Sequence, residues 1–116
     1  MNTPLRAYNV SIQRLTRALE LISKEVGGVH VHTVSAFLFV ARRGKCTQKD
    51  VEIELGLSNA AISRNISFWT SRRYDRGKGL GFIQAVENDY DRRFKELTLT
   101  PLGVAFYKRL LEAIER

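Results

Sequence analysis

The stretch that most constrains the fold is TQKDVEIELGLSNAAISRNI, starting at Thr47. Thr47 is followed three residues later by Asp50, the spacing of a reciprocal capping box. A short helix from Gln48 to Leu55 is expected behind it. Gly56 then ends that helix, supplying a positive φ that a side chain would resist. Leu57 tucks inward, and Ser58 caps a second helix expected from Asn59 to Arg72. Val51, Leu55, Leu57, Ile62 and Ile66 supply the apolar contacts that fix the crossing angle. Two short helices joined by a tight glycine turn make a helix-turn-helix. Its second helix turns Asn59, Ala60, Ser63, Arg64 and Ser67 outward. Small side chains around one amide and one guanidinium let a helix sink into the major groove and still reach base edges. Thr47, Gln48 and Ser58, at the two helix starts, complete the contacts expected of this motif.

The flanking segments are helical too. Thr3-Pro4 is a hydroxyl cap followed by proline at the first helical position. Leu5, Tyr8, Ile12, Leu15, Leu19, Ile22 and Val26 then recur in steps of three and four, a heptad seam that Gly27-Gly28 ends. Such a seam is either a core helix of the monomer or a subunit contact, and its length favours the contact. A second helix, apolar nearly all round, is expected from His32 or Thr33 to Arg43, with Gly44 as its stop. After the helix-turn-helix the period changes. Leu80–Glu87 is expected as a strand, Asn88–Arg92 as a polar turn and Phe94–Thr100 as the returning strand. Thr100-Pro101 repeats the cap-then-proline signature, and Val104, Tyr107, Leu111 and Ile114 stripe a final helix. The fold class is therefore mostly α with a small antiparallel β-hairpin. It is a winged helix-turn-helix in one domain, with an N-terminal dimerisation helix over 4–26, the winged helix over 33–100 and a C-terminal dimerisation helix over 101–116.

Charge narrows the partner. Nineteen Lys and Arg against twelve Asp and Glu give a formal +7, which favours an anionic partner, nucleic acid above all. Residues 57–85 hold five basic side chains (Arg64, Arg72, Arg73, Arg76 and Lys78) and a single acid, Asp75. Arg72, Arg73 and Lys78 are expected to clamp phosphates beside the second helix; a merely solvated basic loop is the alternative. No apolar run approaches the ~20 residues that cross a bilayer, so no membrane partner is expected. A single cysteine cannot form an internal disulfide, and a cytoplasmic location is expected.

The helix-turn-helix, followed at a distance by DYDRRFKELTLTPLG, resembles the MarR family of bacterial and phage transcriptional regulators. The resemblance covers about residues 33–110. In that family an Asp-x-Arg motif at the wing tip precedes a Leu-Thr that starts the last helix, with a following glycine. Asp91-Arg92-Arg93, Leu99-Thr100 and Gly103 match it here. The resemblance implies that Arg93 enters the minor groove, held by Asp91 and flanked by Arg92, with double-stranded DNA and a second copy of the chain as partners. The homodimer would form through the Leu5–Val26 and Val104–Ile114 helices, and the protein would act as a transcriptional regulator, repressor or activator. The chain also departs from the family. Glu52 stands where a small residue is usual, Ile53 is apolar where a polar one is common, and TSRRYDRGKGLG lengthens the passage into the wing. The dimerisation helices are short, which argues against a pocket for a small-molecule effector.

Weaker signals resolve toward structure. His30 and His32 lack the acid or thiol neighbours of a metal site. Cys46 lies beside Arg42, Arg43 and Lys45, which would lower its pKa, yet a buried structural thiol is the expected role. Phe68 and Trp69 are spaced from Ile62 and Ile66 as core residues rather than as stacking platforms. No partnered nucleophile or paired carboxylates suggest an enzyme, and no cofactor or metal is expected. The rival to DNA binding is a winged-helix adaptor that binds a partner protein.

Overall fold

The computed structural model describes residues 3–70, 79–87 and 95–115. In chain order these form α1 (Thr3–Glu25), α2 (Val31–Arg43), β1 (Cys46–Thr47), α3 (Gln48–Leu55), α4 (Asn59–Trp69), β2 (Ile83–Glu87), β3 (Lys95–Leu99) and α5 (Pro101–Glu115). Among the described residues, no helix is long and apolar enough to cross a membrane. The chain divides into two compact units, His30–Ala105 and Met1–Val29 with Phe106–Arg116.

The central unit is built on α2. Ala36, Phe37, Phe39 and Val40 are buried, as are Val51 of α3 and Ile62, Ile66 and Trp69 of α4. Phe37 and Phe82 lie 4.8 and 6.0 Å from the Trp69 ring. The indole N–H, which burial would otherwise strand, donates to the Thr33 carbonyl at 2.8 Å. Thr33 also donates its hydroxyl to Asn65 Oδ1 at 2.6 Å, tying the start of α2 to α4.

Several boundaries differ from expectation for physical reasons. α2 begins at Val31 behind His30, one or two residues before the expected start. The wing is a three-stranded sheet in the order β1-β3-β2, not a bare hairpin: Cys46 pairs with Leu97 and Thr47 with Glu96. α4 stops at Trp69 instead of Arg72. The reason is that the amides of Leu80, Gly81 and Phe82 take the carbonyls of Phe68, Thr70 and Trp69, so the returning chain caps the helix. Those same bonds keep Leu80–Phe82 out of β2, and Gly81 bends there at φ 71°.

Two glycines are required by close approach. A Cβ on Gly79 would sit 1.6 Å from the Thr70 carbonyl oxygen, and one on Gly103 would sit 2.0 Å from that of Phe82. Thr100 accepts from the Gly103 amide at 3.1 Å and donates its hydroxyl to the Gly81 carbonyl. The Leu-Thr-Pro-Leu-Gly signature is therefore a packing joint between the start of α5 and the chain entering β2.

In the other unit the guanidinium of Arg109 grips both carboxylate oxygens of Glu25, and Arg17 donates to the Ala113 carbonyl at 3.2 Å. The middle of the α1 seam faces solvent in the single chain. Tyr8, Ile12, Leu15 and Leu19 are 54–64% exposed, and Ala18 is buried. On α5 the buried stripe is Phe106 and Leu110, while Val104, Leu111 and Ile114 are exposed.

Candidate nucleic-acid interface

The helix-turn-helix is fixed by three local devices. The Thr47 hydroxyl accepts from the Asp50 amide at 3.1 Å, and Asp50 Oδ2 accepts from the Thr47 amide at 2.9 Å, completing the capping box. The Thr47 amide bond holds the Asp50 carboxyl below the usual carboxylate range. Gly56 is left-handed, at φ 65° and ψ 33°, and its amide bonds the Glu52 carbonyl at 2.8 Å. Ser58 then accepts from the Ala61 amide at 3.2 Å and starts α4.

These caps assign jobs to some expected contact residues. The hydroxyls of Thr47 and Ser58 hold helix starts, and Gln48 opens α3 half-buried. On α4, Asn59, Ala60 and Arg64 are exposed, Ser63 and Ser67 are half-buried, and Ile62, Ile66 and Trp69 face the core. Leu55 and Leu57 are half-buried beside the turn. Phe68 packs edge-on against Trp69 at 5.2 Å, so the pair serves the core. Arg72, Arg73, Lys78, Asp91, Arg92 and Arg93 lie outside the described residues.

Cys46 is buried in β1, and that burial, with Asp50 adding to it and Arg43 opposing, pushes its thiol up to about 11. Desolvation thus outweighs the basic neighbours. Among the described residues no cluster of His, Cys, Asp or Glu is arranged to hold a metal. Sequence reading missed one contact in the motif. Glu52 Oε2 accepts from Asn59 Nδ2 at 3.0 Å across the turn, and Lys49 Nζ lies 4.0 Å from the other oxygen. The signal was an acid on the last turn of the first helix, seven residues before an amide at the start of the second.

Comparison with protein-family models finds no match, and no curated protein matches. Solved structures do. A cysteine-to-serine variant of MarR from Escherichia coli complexed with operator DNA superposes with a TM-score of 0.66 at 16% identity, over 97% of this chain and 74% of that one. The fold is the MarR-type winged helix. RV1404 from Mycobacterium tuberculosis shares this MarR-type fold at a TM-score of 0.73 and 13% identity, over 99% and 75% of the two chains. The YusO protein from Bacillus subtilis matches at 0.68 and 16%, over 97% and 72%.

Proposed function

We propose that the protein is a sequence-specific, double-stranded DNA-binding transcriptional regulator that acts as a homodimer. The observation that carries this is α4. Its core face is sealed by Ile62, Ile66 and Trp69, while Asn59, Ala60 and Arg64 stand on a solvent face of small and hydrogen-bonding side chains. A helix held this way is suited to a major groove. The formal charge of +7 and the MarR-type fold, seen with operator DNA in the Escherichia coli protein, support the same partner. The wing residues Asp91, Arg92 and Arg93 would serve the flanking minor groove, and Arg72, Arg73 and Lys78 the phosphates. The exposed stripe of Tyr8, Ile12, Leu15 and Leu19 supports dimerisation through α1, with Val104, Leu111 and Ile114 on α5.

The test is selection of bound duplexes from random DNA, followed by titration at several salt concentrations. A defined motif should emerge, with log K falling linearly with log salt. Arg64→Ala should narrow the gap between selected and random DNA by ~1–3 kcal/mol. No binding even at low salt would refute DNA recognition and favour a protein-binding adaptor.

A further inference from the structure

Glu52 is out of place for a simple helix-turn-helix, yet its side chain is only 13% exposed and doubly engaged. One oxygen accepts from Asn59 Nδ2 at 3.0 Å and the other faces Lys49 at 4.0 Å. Its backbone carbonyl meanwhile accepts from the amides of Gly56 and Leu57, at 2.8 and 3.3 Å. One residue thus closes the turn with its main chain and holds the first side chain of α4 with its carboxylate.

The chemistry of that bond fixes an orientation. A carboxylate only accepts, so the nitrogen of the Asn59 amide must face Glu52 and the oxygen must turn away. After one N–H is given to Glu52, an acceptor oxygen and a second N–H remain. That donor and acceptor pair complements the major-groove edge of adenine, with its N7 acceptor and N6 donor. Without Glu52 the amide is free to rotate, or to bond the nearby backbone as Asn does at helix starts.

We propose that Glu52 is a positioning residue for base recognition: through Asn59 it fixes which edge of the amide is offered to DNA, and so sets a preference for adenine. The proposal rests on the DNA-binding function above. It also explains an acid in a surface meant for phosphates. Glu52 lowers affinity for DNA in general and raises discrimination.

The experiment compares wild type, Glu52→Ala, Glu52→Gln, Asn59→Ala and the double variant E52A/N59A. Each is assayed against selected duplexes, duplexes with the preferred adenine replaced by guanine, and random DNA. Glu52→Ala should lose about tenfold in the adenine preference, within the range one good bidentate contact supplies. It should bind random DNA at least as tightly as wild type, because a negative charge is gone. Glu52→Gln should also bind random DNA as tightly but keep the preference, since its amide oxygen still accepts. The double variant should show no further loss beyond Asn59→Ala. Every variant keeps the Glu52 carbonyl bonds that close the turn, and circular dichroism checks the fold. An unchanged base preference in Glu52→Ala overturns the proposal while leaving DNA binding intact, as does a Glu52→Gln variant that behaves like Glu52→Ala. Failure of the wild type to bind any duplex overturns both.

Discussion

Gly103→Ala sets two physical effects of opposite sign against each other. Gly103 lies within a helix, where alanine is the better residue by ~1 kcal/mol. Yet a Cβ there would lie 2.0 Å from the Phe82 carbonyl oxygen and 2.9 Å from its carbon. Backbone atoms cannot swing aside as a side-chain end can. The start of α5 must therefore move off the chain entering β2, putting at risk the Thr100 amide bond to the Phe82 carbonyl, 3.0 Å long. Overpacking costs ~1–3 kcal/mol and the hydrogen bond ~0.5–1.5, so after the helix gain the net loss is about 2 kcal/mol. Urea unfolding at fixed protein concentration checks it, followed by the fluorescence of Trp69, the sole tryptophan and a buried one. The midpoint should fall with the slope unchanged, and the melting temperature should drop by roughly 8 °C. A neutral or stabilised variant would show that helix propensity governs this position and that the joint is loose.

Leu15→Asp combined with Leu19→Asp should yield monomers in light scattering, because carboxylates buried on the α1 stripe would be costly to desolvate; an unchanged dimer mass would refute that interface. Cys46 has its thiol raised from 9.0 to about 11 in the folded chain. The folded state therefore keeps a proton that the unfolded state loses, and stability should fall between pH 9 and 11 by up to ~2–3 kcal/mol. Cys46→Ala should remove that part of the slope in pH-dependent unfolding, and an identical slope would show that other groups cause it. Asp91→Ala raises the formal charge from +7 to +8, so a generic basic surface would bind DNA more tightly. Weaker binding in a salt-controlled titration is expected if Asp91 positions Arg93; tighter binding would refute that role.

What was legible in the sequence was local. The Thr47–Asp50 box, the left-handed Gly56 and the Ser58 cap each depend on residues within four positions, and all three stand in the structure. The core assignments of Ile62, Ile66 and Trp69 followed from helical spacing, and those residues are buried. What escaped was set by distant partners. Nothing near Trp69 signals that α4 ends there; its last carbonyls are taken by the amides of Leu80–Phe82, more than ten residues on. Cys46-Thr47 is too short to show a strand period and is one only because β3 lies alongside. Gly103 belongs to a legible signature, but its reason is the Phe82 backbone. In the candidate interface, Glu52 looked like an anomaly because its partner lies across the turn.

The brevity of β1 hides a mechanical consequence. Thr47 belongs to two assemblies at once, paired with Glu96 of the wing and bonded to Asp50 as the first hinge-pin of α3. Lys45 adds a second tether, 3.1 Å from the Glu96 carboxylate. A tug on β3 therefore pulls directly on the capping box, with no flexible linker to absorb it. Seating of the wing and seating of the helix-turn-helix are therefore expected to be coupled within a single subunit, through Thr47 together with Cys46 and Lys45.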